Sequence, residues 1–501
     1  MALIGLDVGT TGCKAVVFDP EGKVLGYGFQ EYGMICAEPG MAEQDAEQVW
    51  KLTCRVLQQA LAESGVSAIK VLSLSVQGDA IIPVDRNWNA VYPAILGMDY
   101  RSVKQAQECD ALFGARALFD LTGMRSHPLN SVVKMRWLKE NRPAAYRRAW
   151  KITTYADFIL GKLGAAPVID YTMASRTMAF DLEKRAWSAQ ILAGLAIDPA
   201  LLSEAQPSGT IVGRVSAKAA AETGLPADTL LVTGGHDQTC AALGAGVLGE
   251  GKGVDSAGTA EVLSTAFTRP ALNDAMYASF YPCYLYTKPA MYFTFALNHV
   301  GGLLLQWYRD NFAAVEVQEA QAQGLEVYAQ MLGKASAGPS PVMILPHFNG
   351  SGTPWCDMSS KGAIVGLTLA TTRHDVVRAI LECQTYELKI NLETFAEAGV
   401  PIQELAVVGG GAKSRLWLQI KADILGRPVH TLQVREAACL GAAILAGTAA
   451  GVYRSVDEGV NQAVRPQETF APEPRMSARY AEKYAVYQQL YPALAPINRQ
   501  L

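Results

Sequence analysis

The chain has 501 residues, half of them apolar and only 18% charged, which excludes a disordered or solvating segment and predicts two or three folded domains with a large core. Its 43 Lys and Arg face 47 Asp and Glu, a net charge of −4, so nucleic acid and acidic membrane surfaces are not expected partners. Nine scattered cysteines without a CxxC pair argue against a zinc site or a disulfide framework, and fit a reducing, cytoplasmic setting.

The opening residues carry no basic segment ahead of an apolar run, so no targeting leader is expected. Residues 2–6 predict a strand, 7–11 a polar turn and 14–18 a second strand. Asp19-Pro20-Glu21-Gly22 is turn chemistry, and 23–29 resumes the strand pattern. Val49, Trp50, Thr53, Val56, Leu57 and Ala60 recur at helical spacing and predict a helix over 46–63; a buried strand follows at 71–75. A meander feeding βα units of this kind points to a mixed α/β sheet.

Further on, a short strand at 230–233 enters Gly234-Gly235-His236-Asp237-Gln238-Thr239, and a small-residue helix is predicted over 240–245. Beyond residue 245 a strand-rich stretch, 254–267, is interrupted by Ser256-Ala257-Gly258-Thr259. Strand, Gly-Thr turn, strand thus occurs twice. It reads as a weak duplication, with domains at 1–245 and 246–501 and a ligand cleft between them. Near the end, a strand at 404–408 meets Gly409-Gly410-Gly411-Ala412, and a helix from about Ser414 carries Leu416, Ile420 and Ile424 on one face. A last Ala- and Gly-rich helix, 437–451, permits close helix packing. Two uncharged stretches, 289–308 and 437–453, are expected to be buried elements: the first holds Asn298, His299, Gly301, Gly302 and Gln306, and the second is shorter than the ~20 residues of a span.

Several segments carry chemistry. Asp7-Val8-Gly9-Thr10-Thr11-Gly12-Cys13-Lys14 sets glycines, hydroxyls and one cation in a turn whose N–H groups can cradle a phosphate, although it lacks the ending of a Walker A loop. A hairpin turn that needs glycine is the plainer reading. Asp237, behind two glycines and at the mouth of a helix, is either a cap or a catalytic acid–base group, and His236 is either structural or functional. The Gly409–Ala412 turn admits a flat nucleobase or is a tight strand-to-helix connection. Gly244-Ala245-Gly246-Val247-Leu248-Gly249 matches GxGxxG but follows a helix-like stretch, so no dinucleotide site is expected there. Gln77, Asp79, Asp99 and Arg101 fall at two strand ends, where they can grip a polyhydroxy ligand or form surface ion pairs.

Taken together, the chain resembles the FGGY carbohydrate kinases of the actin/Hsp70/hexokinase-like ATPase superfamily over its full length. Ser131-Val132-Val133-Lys134-Met135-Arg136-Trp137-Leu138-Lys139-Glu140-Asn141 is similar to the first family signature, with Leu129 departing at its start. Gly362-Ala363-Ile364-Val365-Gly366-Leu367 followed by Asp375-Val376-Val377-Arg378-Ala379-Ile380-Leu381-Glu382 is similar to the second. The resemblance implies two actin-like (ribonuclease H-like) α/β domains, each with a mixed five-stranded sheet, and an active site in the interdomain cleft. By the same resemblance Asp237 is the catalytic base, Gly9, Thr10, Thr11 and Lys14 form the first phosphate loop, and Gly258 with Thr259 the second. Asp7 and Asp237 hold Mg²⁺; Gly302, Gly410, Gly411, Ala412 and Ser414 contact the nucleotide of ATP; Gln77, Asp79, Asp99 and Arg101 hold the acceptor.

The implied reaction is transfer of the ATP γ-phosphate to a primary hydroxyl of a small sugar or polyol, a ketose such as xylulose or a related polyol. Other readings are an actin-like ATPase switch, a non-catalytic sugar sensor, or, within kinases, an aldonate or deoxyketose substrate. Two departures set the pocket apart. Gly97 stands where many sugar kinases have Trp, and Gln77-Gly78-Asp79 lacks both the Arg-Glu pair of glycerol kinases and the Met-His pair of xylulose kinases. Family members are commonly dimers, so a homodimer is expected.

Overall fold

Residues 2–8 are apolar at nearly every position, the pattern of a strand covered on both faces, and they form an inner strand of a large sheet in the computed structural model, which describes residues 2–66 and 68–501. That first sheet comprises β1 (Ala2–Val8), β2 (Gly12–Phe18), β3 (Val24–Glu31), β4 (Ile69–Val76), β5 (Ile211–Arg214) and β6 (Leu230–His236), in the order β5-β6-β4-β1-β2-β3. The second comprises β7 (Gly251–Ala257), β8 (Glu261–Phe267), β9 (Tyr284–Leu285), β10 (Tyr292–Asn298), β11 (Ile402–Val408), β12 (Val429–Leu432) and β13 (Pro466–Phe470), in the order β9-β10-β8-β7-β11-β12-β13.

Five strands of each sheet follow one plan, an antiparallel meander of three continued by two parallel strands: β3-β2-β1-β4-β6 and β10-β8-β7-β11-β12. The echo of strand, Gly-Thr turn and strand is therefore part of a repeated sheet. The expectation of five strands each is corrected at the edges. The sheets have six and seven strands, because β5, β9 and β13 add antiparallel pairs, and with four, two and five residues these edge strands are too short to show a period in sequence.

Helices cover the sheets: α1 (Ala46–Ser64), α2 (Ser131–Asn141), α3 (Tyr171–Arg176), α4 (Asp237–Gly244), α5 (Gly302–Phe312), α6 (Arg373–Glu397), α7 (Arg415–Leu425) and α8 (Ala437–Ala449). In α1 the predicted apolar face is buried, Asp45 accepts from the N–H groups of Glu47 and Gln48, and Gly65 ends the helix at φ 62. The first family-like signature is α2, and Asp375 of the second closes a capping box with Thr372 at the head of α6. Residues 289–308 become β10 and the start of α5, and 437–453 hold α8; no described helix is long and apolar enough to cross a membrane.

The two halves share a core. One hydrophobic cluster joins Leu3, Val16 and Cys240 with Val254, Leu440 and Ile444. Here α8 lies against β1 and α4 at backbone distance. A Cβ on Gly5 would stand 1.8 Å from Cys439 O, one on Gly244 1.9 Å from Ala437 O, and one on Gly441 2.0 Å from Cys240 O. The small residues of α8 are thus what let the second half approach the helix that begins at Asp237. Gly244 serves that contact.

Candidate active site

Strand register assembles the site. Val8 of β1 pairs with Val76 of β4, and Val76 with His236 of β6, all parallel. Gly9–Thr11, Gln77–Asp79 and Asp237 therefore leave the sheet from one row, at the carboxyl ends of neighbouring strands spaced about 4.8 Å apart. In the second sheet Ser256 of β7 pairs with Val408 of β11, which puts Gly258-Thr259 beside the Gly409–Ala412 turn.

The first loop is held from below. Gly9 O accepts from Tyr32 Oη at 2.7 Å and from Gln77 Nε2 at 3.0 Å, and Thr10 O accepts from Gln44 Nε2 at 2.6 Å. Gln44 is in turn fixed by Tyr155 Oη at 2.9 Å. With the carbonyls tied inward, the amides of Thr10 and Thr11 have no hydrogen-bond partner among the described residues, an arrangement suited to an anion. Gln77 is buried and braces this loop, so its amide is committed there. Lys14 reaches across to Glu436 of the other half, Nζ to Oε2 2.8 Å.

On the other side, Gly258 O accepts from the N–H of Gly302 and Thr259 O from that of Gly301, both at 2.8 Å. The second loop thereby caps α5, and the Gly302 amide is already used. In the glycine turn, Gly410 is exposed, whereas a Cβ on Gly411 would lie 2.6 Å from Ala257 Cβ and 2.9 Å from the Trp417 ring. Ser414 spends its hydroxyl as the N-cap of α7, accepting from Trp417 N–H. Gly411 and Ser414 shape the turn, while Gly410 and Ala412 lie at its surface.

Asp237 heads α4. Its Oδ1 accepts from Gln238 N–H at 2.6 Å and lies 3.1 Å from His236 Nε2, and Oδ2 carries no hydrogen bond among the described residues. Burial, with the charge of Asp7 added, pushes its carboxyl up to about 7. His236 Nδ1 is 2.9 Å from Tyr284 Oη, and burial with the nearby Arg176 charge holds the imidazole well below its ordinary pKa, hence neutral. Asp7 accepts from Ser75 Oγ at 2.7 Å through Oδ1, with burial raising its carboxyl.

Around the acceptor candidates, each cation meets its own carboxylates or carbonyls. Asp79, at φ 66 and 4% exposed, pairs with Arg176 of α3. Asp99 accepts from Arg101 Nε at 2.8 Å and from Ala42 N–H at 2.6 Å, and Arg101 also meets Glu43 at 2.6 Å. These are buried pairs and not the surface pairs weighed from sequence. Lys134 of α2, fully buried, donates to Leu129 O at 2.7 Å, Asp79 O at 3.0 Å and Gly97 O at 3.3 Å. Leu129 contributes its carbonyl, so its departure from the signature costs this contact nothing. A Cβ on Gly97 would stand 3.1 Å from Gly78 O, so any side chain here would require the Gly78 carbonyl to give by a few tenths of an ångström.

Tyr32, Gln44, Tyr155, Arg176, Tyr284 and Glu436 are the additions that sequence reasoning missed. Only Arg176 had a signal, a lone cation closing the short run Tyr171–Arg176 after the cap Asp170.

Models of the N-terminal and C-terminal domains of the FGGY family of carbohydrate kinases match residues 2–244 and 254–450. The chain belongs to this family. As an FGGY kinase it is a phosphotransferase acting on a carbohydrate-type alcohol. A xylulose kinase of Bacillus subtilis (strain 168) is 28% identical, with 100% of this chain and 98% of the relative covered. An autoinducer-2 kinase of Enterobacter sp. (strain 638) is 30% identical, with 98% and 94% covered. Among solved structures, the xylulose kinase from Rhodospirillum rubrum matches at TM-score 0.89 and 26% identity, covering 99% of this chain and 100% of that one. The gluconate kinase from Lactobacillus acidophilus shares the fold at TM-score 0.89 and 23% identity, covering 99% and 98%. These FGGY kinases bear different substrate names, so membership defines the reaction class and leaves the acceptor open.

Proposed function

We propose that this FGGY kinase transfers the γ-phosphoryl group of ATP to a primary hydroxyl of a neutral ketose or polyol, in a cleft between domains 1–245 and 246–501. The observation that carries the reading is Asp237: Oδ1 accepts from the Gln238 N–H and Oδ2 is left without a hydrogen bond among the described residues, at the head of a helix beside the first loop. In this reading Oδ2 accepts the acceptor's proton late in a loose transfer, and the Thr10 and Thr11 amides with the Gly258-Thr259 turn neutralise phosphoryl charge. Closure over both ligands limits attack by water.

Asp7 fits a hydrated Mg²⁺, because its Oδ2 carries no hydrogen bond among the described residues, and Asp237, whose free Oδ2 serves the acceptor, would meet the ion through its water shell; Mg²⁺ is commonly bound by one or two carboxylates with phosphate and water completing its shell. Bound there, it would supply charge neutralisation on the phosphates. A neutral acceptor is favoured over an aldonate because Arg101, Arg176 and Lys134 are all engaged within the protein. ADP release with Mg-ATP against ketoses, deoxyketoses, polyols and aldonates, run beside Asp237→Ala, tests this. One neutral compound turned over by the native enzyme and not by the variant is the expected result. Aldonate turnover overturns the substrate class, and an active Asp237→Ala overturns the base.

A further inference from the structure

A cavity of about 360 Å³ lies away from the catalytic cleft, between the second sheet, the segment 245–248 that leads from one half to the other, and the helix Val456–Ala463. It opens where β7, β11 and β12 begin, whereas the Gly258-Thr259 and Gly409–Ala412 turns leave the far ends of β7 and β11. Strand register builds its floor. Lys252 pairs with Glu404, and Ala406 with His430, which in turn pairs with Thr469. One face of four neighbouring strands thus presents an ammonium, a carboxylate, an imidazole and a hydroxyl. Ala406 and Leu432 continue that face into the core shared by the two halves.

The roof is apolar and fixed. Val247 and Leu248 form one side of it, Val460 and Val464 the other. Tyr286 Oη donates to Val247 O at 2.8 Å; Lys288 Nζ donates to Leu248 O at 2.8 Å and to Asp457 Oδ1 at 2.7 Å, so one lysine ties the connecting segment to the helix. The cavity is therefore preformed, and its volume falls within the range of small-molecule sites. Its charges are not consumed by each other: Lys252 Nζ and Glu404 Oε2 stand 3.9 Å apart, beyond hydrogen-bond distance, and both side chains are half-exposed.

We infer that this cavity is a binding site for a small α-amino acid with an apolar side chain. The ligand's carboxylate meets Lys252 Nζ, its ammonium meets Glu404, and its side chain lies against Val247, Val460 and Val464. Burial lowers the His430 pKa from its ordinary value, so the imidazole is neutral at pH 7 and the floor as a whole carries no net charge. An ion of one sign therefore meets attraction and repulsion together, whereas a zwitterion meets both charges favourably. The site is separate from the acceptor and nucleotide residues, and the inference does not rest on the proposed function.

Calorimetric titration of the full chain with L-leucine, L-methionine and L-phenylalanine, without ATP or acceptor, tests it. Isoamylamine and isocaproate serve as leucine lacking its carboxylate or its ammonium. At least one amino acid should bind once per chain with a Kd of about 0.1–1 mM, and about tenfold or more tightly than an analogue with one charge. Lys252→Gln and Glu404→Gln, both half-exposed and compatible with the fold, should each weaken binding about tenfold, and Val460→Trp, which fills the cavity, should abolish it. An analogue that binds as well as the amino acid overturns the zwitterion. Unchanged binding when Lys252→Gln and Glu404→Gln are combined overturns the site, and so does the absence of saturation by all three amino acids up to about 10 mM.

Discussion

Lys14 and Glu436 meet at 2.8 Å across 422 residues of sequence, joining the strand that follows the Gly9–Thr11 loop to the residue that precedes α8. Glu436 occupies the N-cap position without capping, since its carboxylate is turned to the other half. The pair keeps Lys14 beside Asp7, and Glu436 with Asp7 holds its ammonium firmly charged. A triphosphate arriving at the loop competes with Glu436 for this ammonium. Glu436→Gln is therefore expected to tighten ATP binding about two- to fivefold and Lys14→Met to weaken it about tenfold or more, both read by calorimetric titration with ATP. Weaker binding in Glu436→Gln would mean that the carboxylate places Lys14 for the phosphate instead of competing for it.

A second prediction concerns Lys134, whose donors join the 77–79 and 97–101 segments through Asp79 O and Gly97 O. Lys134→Met removes those donors, and only Asp79 O retains another, Ser131 Oγ at 3.2 Å. The loss should cost about 2–4 kcal/mol of stability and raise the acceptor KM about tenfold with the ATP KM unchanged.

Lys134 also imposes a pH dependence. Burial lowers it to about 7, while an unfolded lysine titrates near 10.4, so between these values the folded chain binds fewer protons than the unfolded one. Stability contributed at this site therefore rises with pH through that window, by up to about 1.4 kcal/mol per unit, and the cost of holding the buried charge is complete below pH 7. Urea unfolding of native protein and Lys134→Met from pH 6.5 to 9.5 should show their difference widening upwards. A constant difference would place the titration elsewhere.

How much of this was legible in the sequence follows from how far each signal reaches. The two Gly-Thr turns and Asp237 stood out because tight turns after apolar strands need glycine and leave few polar residues beside it. Tyr284, Gln44 and Glu436 gave no such sign: their partners lie 48, 111 and 422 residues away, and each is an ordinary residue in its own segment. Gln77, Asp79, Asp99 and Arg101 are legible as a polar set at two strand ends, yet their spacing does not tell that Ala42 and Glu43 complete the shell of Asp99 and Arg101. The helix predicted from 240 begins at Asp237 because β6 runs on to His236, and that extension is what sets Asp237 at a helix head.

The contact of α4 with α8 gives a third prediction. A methyl group at Gly441 would meet the Cys240 carbonyl at 2.0 Å, and backbone on both sides cannot yield without parting the helices. Gly441→Ala should cost about 1–3 kcal/mol or more, whereas Gly33→Ala, with open space around it, should be close to neutral. Thermal melts of the two variants check this. Because α4 carries Asp237, a folded Gly441→Ala should also lose kcat; intact kcat at reduced stability would confine α8 to a packing role.

The last prediction concerns the charges beneath the Gly258-Thr259 and Gly409–Ala412 turns. Lys421 of α7 stands 2.7 Å from Asp255 Oδ2 and is hydrogen-bonded to Glu261, and all three side chains are fully buried. They tie the strands flanking the Gly258-Thr259 turn to the helix that follows the glycine turn. Removing the lysine leaves two carboxyl groups together in a dry site, where both cannot be charged. Lys421→Met should thus destabilise the protein by about 3–5 kcal/mol, more than the loss of an exposed pair would. Adding Asp255→Asn and Glu261→Gln removes the stranded charges and should recover most of that loss in urea unfolding. If the triple variant regains stability and also binds ATP like the native protein, the cluster serves folding alone. If it is stable but binds ATP weakly, the lysine holds the Gly258-Thr259 and Gly409–Ala412 turns in register for the nucleotide, which is what its position between them leads us to expect.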